Sequence, residues 1–454
     1  MTKWMGAAAV AAAAMMPVVV PAQAQTSAKA AGEDAQAKIC SNDDASEGAE
    51  AIVAACSAVI ADSRYGARDH AIAYARRGLA HVDLGEFDMA AADTDKAIGI
   101  ETANDFIWAA RGVALASAGN FEAAKAAYDR SLAIGPGNGG ILAKRAGVLL
   151  DLGKPKEALA DADAALAAQP GNFEARIMQA QAVAKLGDHA KALALFDTLI
   201  AENPLPFLYN LRGDARLDAR KYAEAAADYS EVLKRGYNAP TLNARGWAYR
   251  MAGELGKAIA DFDAAIRSDP TLFAAYAGRG EAYDELDEYE RAVADFTKAL
   301  KLQPGHAGVL RERGSAYSEL GKLALALADY DAALSIEPKN SDMLNGRCWV
   351  RAVAGAELAK ALADCSAAIA LAPKEANAYD SRGLVELKMA DNAAAFADYD
   401  KAAKMDPTRA SYFYGRGIAA IRLGRRAEGE ADLTKAGTMD AGVAARYAKH
   451  GVIP

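Results

Sequence analysis

Four cysteines, five histidines and one dense acidic run are the residues of this 454-residue chain whose types could do chemistry. The cysteines fall in two pairs of similar spacing, Cys40 with Cys56 and Cys348 with Cys365. A zinc site would need a histidine or another cysteine close to each pair, and the sequence supplies neither. Such pairs form disulfides in an oxidising compartment and remain buried thiols in a reducing one, and four cysteines allow three connectivities. The histidines, His70, His81, His189, His306 and His450, are scattered, and no phosphate-binding glycine loop, HExxH motif or G-x-S-x-G elbow accompanies them. The acidic run from Asp284 to Glu290 lacks the alternating oxygen ligands and central glycine of a calcium loop, so it reads as a solvated helix end. These residues point to no catalytic group, no metal and no cofactor, and the chain reads as non-enzymatic. An enzyme with a site formed between structural units is the third functional reading, after the two binding roles below.

The elements that carry these residues repeat. Taking the stretch Ala275 to Pro304 as the unit and Gly280 as its anchor, equivalents fall at Gly78, Gly112, Ala146, Ala180, Gly213, Gly246, Gly314, Cys348, Gly383 and Gly417, 33 to 35 residues apart. Within the unit, Tyr276, Tyr283 and Leu286 mark one helical stripe, and Ala292, Phe296, Ala299 and Leu300 mark a second before Pro304 stops the helix. Two helices of about a dozen residues cannot enclose a core, so each pair must stack on the next. Glycine inside a helix costs roughly 0.5–1 kcal/mol relative to alanine, and close approach of the second helix at Gly280 offsets it.

The pattern of aromatic, glycine and tyrosine in the first helix, followed by alanine, aromatic, alanine and proline in the second, resembles the tetratricopeptide repeat (TPR) family. The resemblance spans roughly Ile72 to Asp440 with eleven units, eight of them ending in proline. It implies an all-α fold, a right-handed superhelical solenoid of TPR helix-turn-helix repeats. It also implies that the residues flanking the anchor line a concave groove, here Asn210, Asp214, Asn243, Trp247, Arg250, Glu281, Asp284, Arg311, Asn345 and Trp349. Asparagine amides can bond a peptide backbone and tryptophans offer flat apolar area; both tryptophans equally suit gaps between repeats. The lysine and asparagine clamp of chaperone-binding TPR proteins is not reproduced, so a C-terminal carboxylate ligand is not implied. His81 and His189 stand where the family packs aromatics. In the repeat register Cys348 takes the small anchor position and Cys365 the facing aromatic one, which favours the local pairings Cys40–Cys56 and Cys348–Cys365. A loop of about fifteen residues closed this way contributes about 3 kcal/mol.

One regularity lies outside the minimal family pattern. Arginine precedes the anchor in ten units, as Arg77, Arg111, Arg145, Arg212, Arg245, Arg279, Arg313, Arg347, Arg382 and Arg416. Aspartate precedes the facing aromatic position in nine, as Asp93, Asp161, Asp228, Asp261, Asp295, Asp329, Asp364, Asp398 and Asp432. The unit with Gln179 instead of arginine has Leu195 instead of the acid. This co-occurrence predicts ion pairs at the helix interface; the alternative is an arginine track for an anionic ligand, which matched acids would neutralise.

The N-terminus has Lys3, an apolar segment from about Met5 to Val20, and Ala22-Gln23-Ala24, the pattern of a cleaved secretory signal with cutting after Ala24. The expected organisation is a signal peptide over 1–24, a flexible linker over 25–38, a cysteine-stapled N-terminal cap over 39–65, a solenoid over 66–441 and a C-terminal capping helix over 442–454. Net charge is −8, and −9 without Lys3, which argues against nucleic acid and anionic lipid as partners. No stretch of the mature chain reads as a membrane span. The resulting expectation is a periplasmic or otherwise exported scaffold of bacterial type that binds protein or extended peptide; the alternative is an accessory subunit of an envelope export or polysaccharide-secretion assembly.

Overall fold

The computed structural model describes residues 35–41, 47–236 and 238–454. The expected signal peptide and most of the expected linker lie outside them. The described residues form twenty-five helices, and the chain divides into two units, Met1–Ala248 and Tyr249–Pro454. The first unit holds α1 (Ala35–Ser41), α2 (Ala49–Ala61), α3 (Ala67–Asp83), α4 (Phe87–Ile100), α5 (Asp105–Ser117), α6 (Phe121–Ile134), α7 (Gly139–Asp151), α8 (Pro155–Ala168), α9 (Phe173–Lys185), α10 (His189–Glu202), α11 (Pro206–Asp218), α12 (Tyr222–Leu233) and most of α13 (Ala239–Met251). The second holds α14 (Leu255–Ser268), α15 (Phe273–Asp284), α16 (Tyr289–Leu302), α17 (Ala307–Glu319), α18 (Leu323–Ile336), α19 (Ser341–Ala354), α20 (Leu358–Leu371), α21 (Ala376–Lys388), α22 (Asn392–Met405), α23 (Ala410–Arg422), α24 (Arg426–Met439) and α25 (Val443–Lys449). From α3 to α24 these are helix-turn-helix repeats.

Local chemistry sets the helix ends. Asn104, Asn138 and Asn340 each accept backbone N–H bonds from the first turn of the following helix. The turn inside a repeat needs a left-handed residue, supplied by Gly321 at φ 70° and, where glycine is missing, by Asp287 at φ 58°. Because α15 ends at Asp284, Leu286 falls in that turn and is 43% exposed, so it does not belong to the buried stripe expected of it. Residues 35–38, read as the end of a linker, are helical in α1. Gly236 lies three residues past the last residue of α12, Leu233.

The core runs through each unit as stacked layers of alanine and aromatic side chains. Ala292, Phe296, Ala299 and Leu300 are all buried. A Cβ at Gly280 would sit 2.7 Å from the Phe296 ring, and one at Gly383 would sit 2.7 Å from Tyr399, so the anchor glycines admit the ring of their own second helix. In the repeat of α19 and α20, Cys348 and Cys365 occupy these two places and are bonded, with Cα atoms 5.5 Å apart. Cys40 and Cys56 likewise join α1 to α2. Within each unit the first helices of successive repeats touch one another, α3 against α5 and α19 against α21, whereas second helices make no comparable contact. First helices therefore form one continuous face in each unit. No helix among the described residues is long and apolar enough to cross a membrane.

Candidate peptide-binding faces

Positioning begins with the arginine before each anchor. The eight arginine–aspartate pairs that fall within one unit are all bidentate, as in Arg279 Nε and Nη2 donating to Asp295 at 2.7 Å each and Arg145 likewise to Asp161. The aspartates are buried, so two parallel charge-assisted bonds compensate their desolvation. The remaining guanidinium nitrogen reaches the preceding repeat: Arg145 to Asp129 at 2.7 Å, Arg347 to Asp331 at 2.8 Å, Arg313 to the Thr297 hydroxyl at 3.1 Å. Each such arginine thus ties three helices. Arg111, whose own repeat has Ala127 instead of the acid, pairs with Asp95 of the preceding repeat at 2.9 Å. Gln179 keeps that backward link, donating to Asp163 at 2.7 Å. The backward half of the ladder was not anticipated, because its acceptor alternates between aspartate, serine and threonine; its offset, fifteen or sixteen residues in most repeats, was the available signal. The guanidinium groups are committed to this frame, which removes the arginine-track alternative.

The residue three places after the anchor tunes the frame. Arg216 and Arg351 add a second cation to Asp228 and Asp364. His81 bonds Glu86 through Nδ1 at 2.6 Å, with Nε2 3.7 Å from Asp93. Glu386 instead places a second carboxyl beside Asp398, 3.8 Å from Arg382, and burial with that neighbour pushes it up to about 8. Among the other histidines, His306 caps α17 and burial lowers its pKa, while His189 begins α10 half-buried.

The ten expected groove residues all lie on first helices, four in the first unit and six in the second. In the first unit Asp214 accepts from the Tyr229 hydroxyl at 2.6 Å, and burial pushes its carboxyl up to about 6. Asn210 takes a long bond from Thr241, at 3.5 Å. Asn243 presents a buried Oδ1 with no hydrogen-bond donor, and Trp247 is half-buried. In the second unit Arg250 pairs with Glu281 and, at 2.6 Å, with Glu285, while Arg311 pairs with its neighbour Glu312. Burial pushes Glu281 up to about 7 and Asp284 to about 6, the latter helped by repulsion from Glu312, Glu319, Glu285 and Asp287. Asn345 repeats the feature of Asn243, a buried Oδ1 without a donor, and lines a small cleft with Asp342, Glu375 and Asn377 between α19, α20 and α21.

Trp349 is not free. The segment after α24, expected as a C-terminal capping helix, forms α25, which packs on α23 and α24, and its end reaches back to α19. Its His450 stands edge-on to Trp349 of α19, with ring centroids 5.4 Å apart. Its Tyr447 ring lies 4.9 Å from Tyr414 of α23, and its hydroxyl donates to the Ser411 carbonyl at 2.9 Å and meets the Tyr399 hydroxyl at 3.2 Å. Val443 and Val452 are buried on either side, and Arg422 donates to the Ile453 carbonyl at 2.7 Å.

Comparison with known proteins agrees with the repeat geometry. Tetratricopeptide repeat models match residues 144–205, 210–272, 273–306 and 312–340. Those stretches are tetratricopeptide repeats. No curated protein matches its sequence. Solved structures similar to the TPR array include the APC/C hetero-tetramer Cut9–Hcn1, at 12% identity and a TM-score of 0.47, covering 87% of this chain and 90% of that one. Yeast Tom70 follows at 14% identity and 0.40, covering 82% and 93%. YrrB, described as a TPR protein with an unusual peptide-binding site, shows 21% identity and 0.36, covering 42% and 98%.

Proposed function

We propose that this TPR protein is a non-enzymatic scaffold that binds protein or extended peptide segments along the first-helix faces of its two units, in the periplasm, after removal of residues 1–24. The observation that carries the binding role is the pair of orphaned amide oxygens. Asn243 in one unit and Asn345 in the other hold a buried Oδ1 that no donor reaches, at the same position of the repeat. Buried acceptors are rarely left unpaired, and a peptide N–H arriving at that face supplies the missing bond. The second unit adds carboxylates at Asp284, Glu312 and Asp342, so its face favours segments rich in N–H donors and cations. Preformed helices leave little ordering cost on the scaffold side. The exported location is supported by the N-terminal signal pattern and by the two disulfides, which persist in oxidising compartments.

The test is affinity capture from an envelope extract with the full mature chain and with an Asn243→Ala, Asn345→Ala variant of unchanged helicity. A partner held by the first and released by the second supports the assignment. Equal capture by both would place binding on other surfaces and contradict it.

A further inference from the structure

The structure assigns the C-terminal segment, residues 441–454, as a built-in occupant of the polypeptide-binding face of the last three repeats. It follows that this face takes, from a partner, a short segment of the same chemistry: a tyrosine preceded by an arginine and followed by a small residue, then basic and aromatic side chains. This rests on reading first-helix faces as peptide-binding surfaces and names the ligand class for one of them.

Four observations support it. The segment packs on α23 and α24 and then reaches α19, as the contact of His450 with Trp349 shows; those two residues are three repeats apart in sequence. Its anchor is one side chain: Tyr447 is 6% exposed, and its hydroxyl is satisfied by Ser411 and Tyr399 while its ring meets Tyr414. A buried aromatic with a satisfied hydroxyl is the form that interface anchors take. Its main chain is also held, through Arg422 donating to the Ile453 carbonyl, in the manner of a bound peptide. Finally, the receiving residues Trp349 and Tyr414 stand one place after and three places before their anchors Cys348 and Gly417, first-helix positions that the sequence register assigns to the groove. Residues 441–454 are too few to fold alone and have α25 as their one helix, of seven residues, so the bound conformation is imposed by the face.

The probe is a fluorescently labelled peptide of residues 441–454, with a second peptide carrying Tyr447→Ala as control, measured by anisotropy against the full chain. Full-length Tyr447→Ala protein, whose own segment has lost its anchor, is expected to bind the native peptide at least tenfold more tightly than the wild type, and to bind the Tyr447→Ala peptide at least tenfold more weakly. A second variant guards against misfolding: a protease site inserted after Met439 leaves the segment seated until cleavage, after which labelled peptide should exchange into the cut protein. Native peptide that enters neither variant, or binds wild type and Tyr447→Ala protein equally, overturns the assignment. Capture of a partner through Asn243 of the first unit is read in parallel. If that capture persists while the peptide fails to bind, the cis-occupant is disproved and the scaffold role stands; if both fail, the reading of the faces falls with it.

Discussion

Replacing Arg279 with alanine should destabilise the second unit by about 3–5 kcal/mol, the cost of stranding one partner of a buried ion pair. The magnitude follows from geometry. Asp295 is 6% exposed, so water cannot replace the two 2.7 Å bonds that Arg279 gives it. Asp295→Leu should cost less, about 1–3 kcal/mol, because Arg279 retains Asp263 of the preceding repeat and some solvent contact. The chain itself contains the compensated state: Gln179 with Leu195 has no intra-repeat ion pair but keeps its bond to Asp163. The double substitution Arg279→Gln, Asp295→Leu should therefore cost only about 1–2 kcal/mol, at least about 2 kcal/mol less than the sum of the single changes. Denaturant unfolding of the full chain measures the sum, and hydrogen exchange in α15 and α16 localises it, which matters because long repeat arrays depart from two-state behaviour. Single changes that add to within about 0.5 kcal/mol of the double would refute the ladder as a coupled frame.

Gly280→Ala should cost about 1–3 kcal/mol by overpacking, since its Cβ would lie 2.7 Å from the Phe296 ring, while Gly305→Ala, with open space around it, should be near neutral; thermal melts of the two variants separate the cases. Cys348→Gly with Cys365→Phe should restore the glycine–aromatic contact of the neighbouring repeats, so that dithiothreitol raises hydrogen exchange in α19 and α20 of the wild type, by a loss of about 3 kcal/mol, but not of the variant. His450 is held below its ordinary pKa by burial, then by Lys388, Lys449 and Arg446. A depressed histidine favours the bound segment most above its free pKa, and that stability is lost as pH falls below about 6.5, because the released state then binds more protons. Peptide exchange into the protein cleaved after Met439 should thus be faster at pH 5 than at pH 7.5, and a His450→Gln version should lose the difference.

Periodicity carried most of the fold. The anchor glycines, the facing aromatics and the terminal prolines report packing that recurs at a fixed offset, so a sequence aligned to itself exposes them, and the same register placed Cys348 opposite Cys365. Arginine and aspartate were legible for the same reason. The backward links to Asp129, Asp263 or Thr297 were not, because the requirement there is an oxygen acceptor and not one residue type. Leu286 misled because hydrophobic spacing continues across a helix end that only the left-handed Asp287 reveals. The course of residues 441–454 was beyond the pattern altogether: ARYAKHG reads as a helix, and local sequence says nothing about which face a short terminal helix meets. Among the groove residues, register located Asn243 and Asn345 correctly on the first helices, but only coordinates could show that Asp214 is spoken for by Tyr229 and Trp349 by His450.

The central claim is that first-helix faces carry binding. A photo-crosslinking amino acid placed at Glu281, on the first-helix face of α15, and in a second protein at Glu290, on the exposed side of α16, tests it most directly in an envelope extract. The account predicts a discrete polypeptide adduct from position 281 and none from position 290; an adduct from position 290 alone, or the same adduct from both, would contradict it.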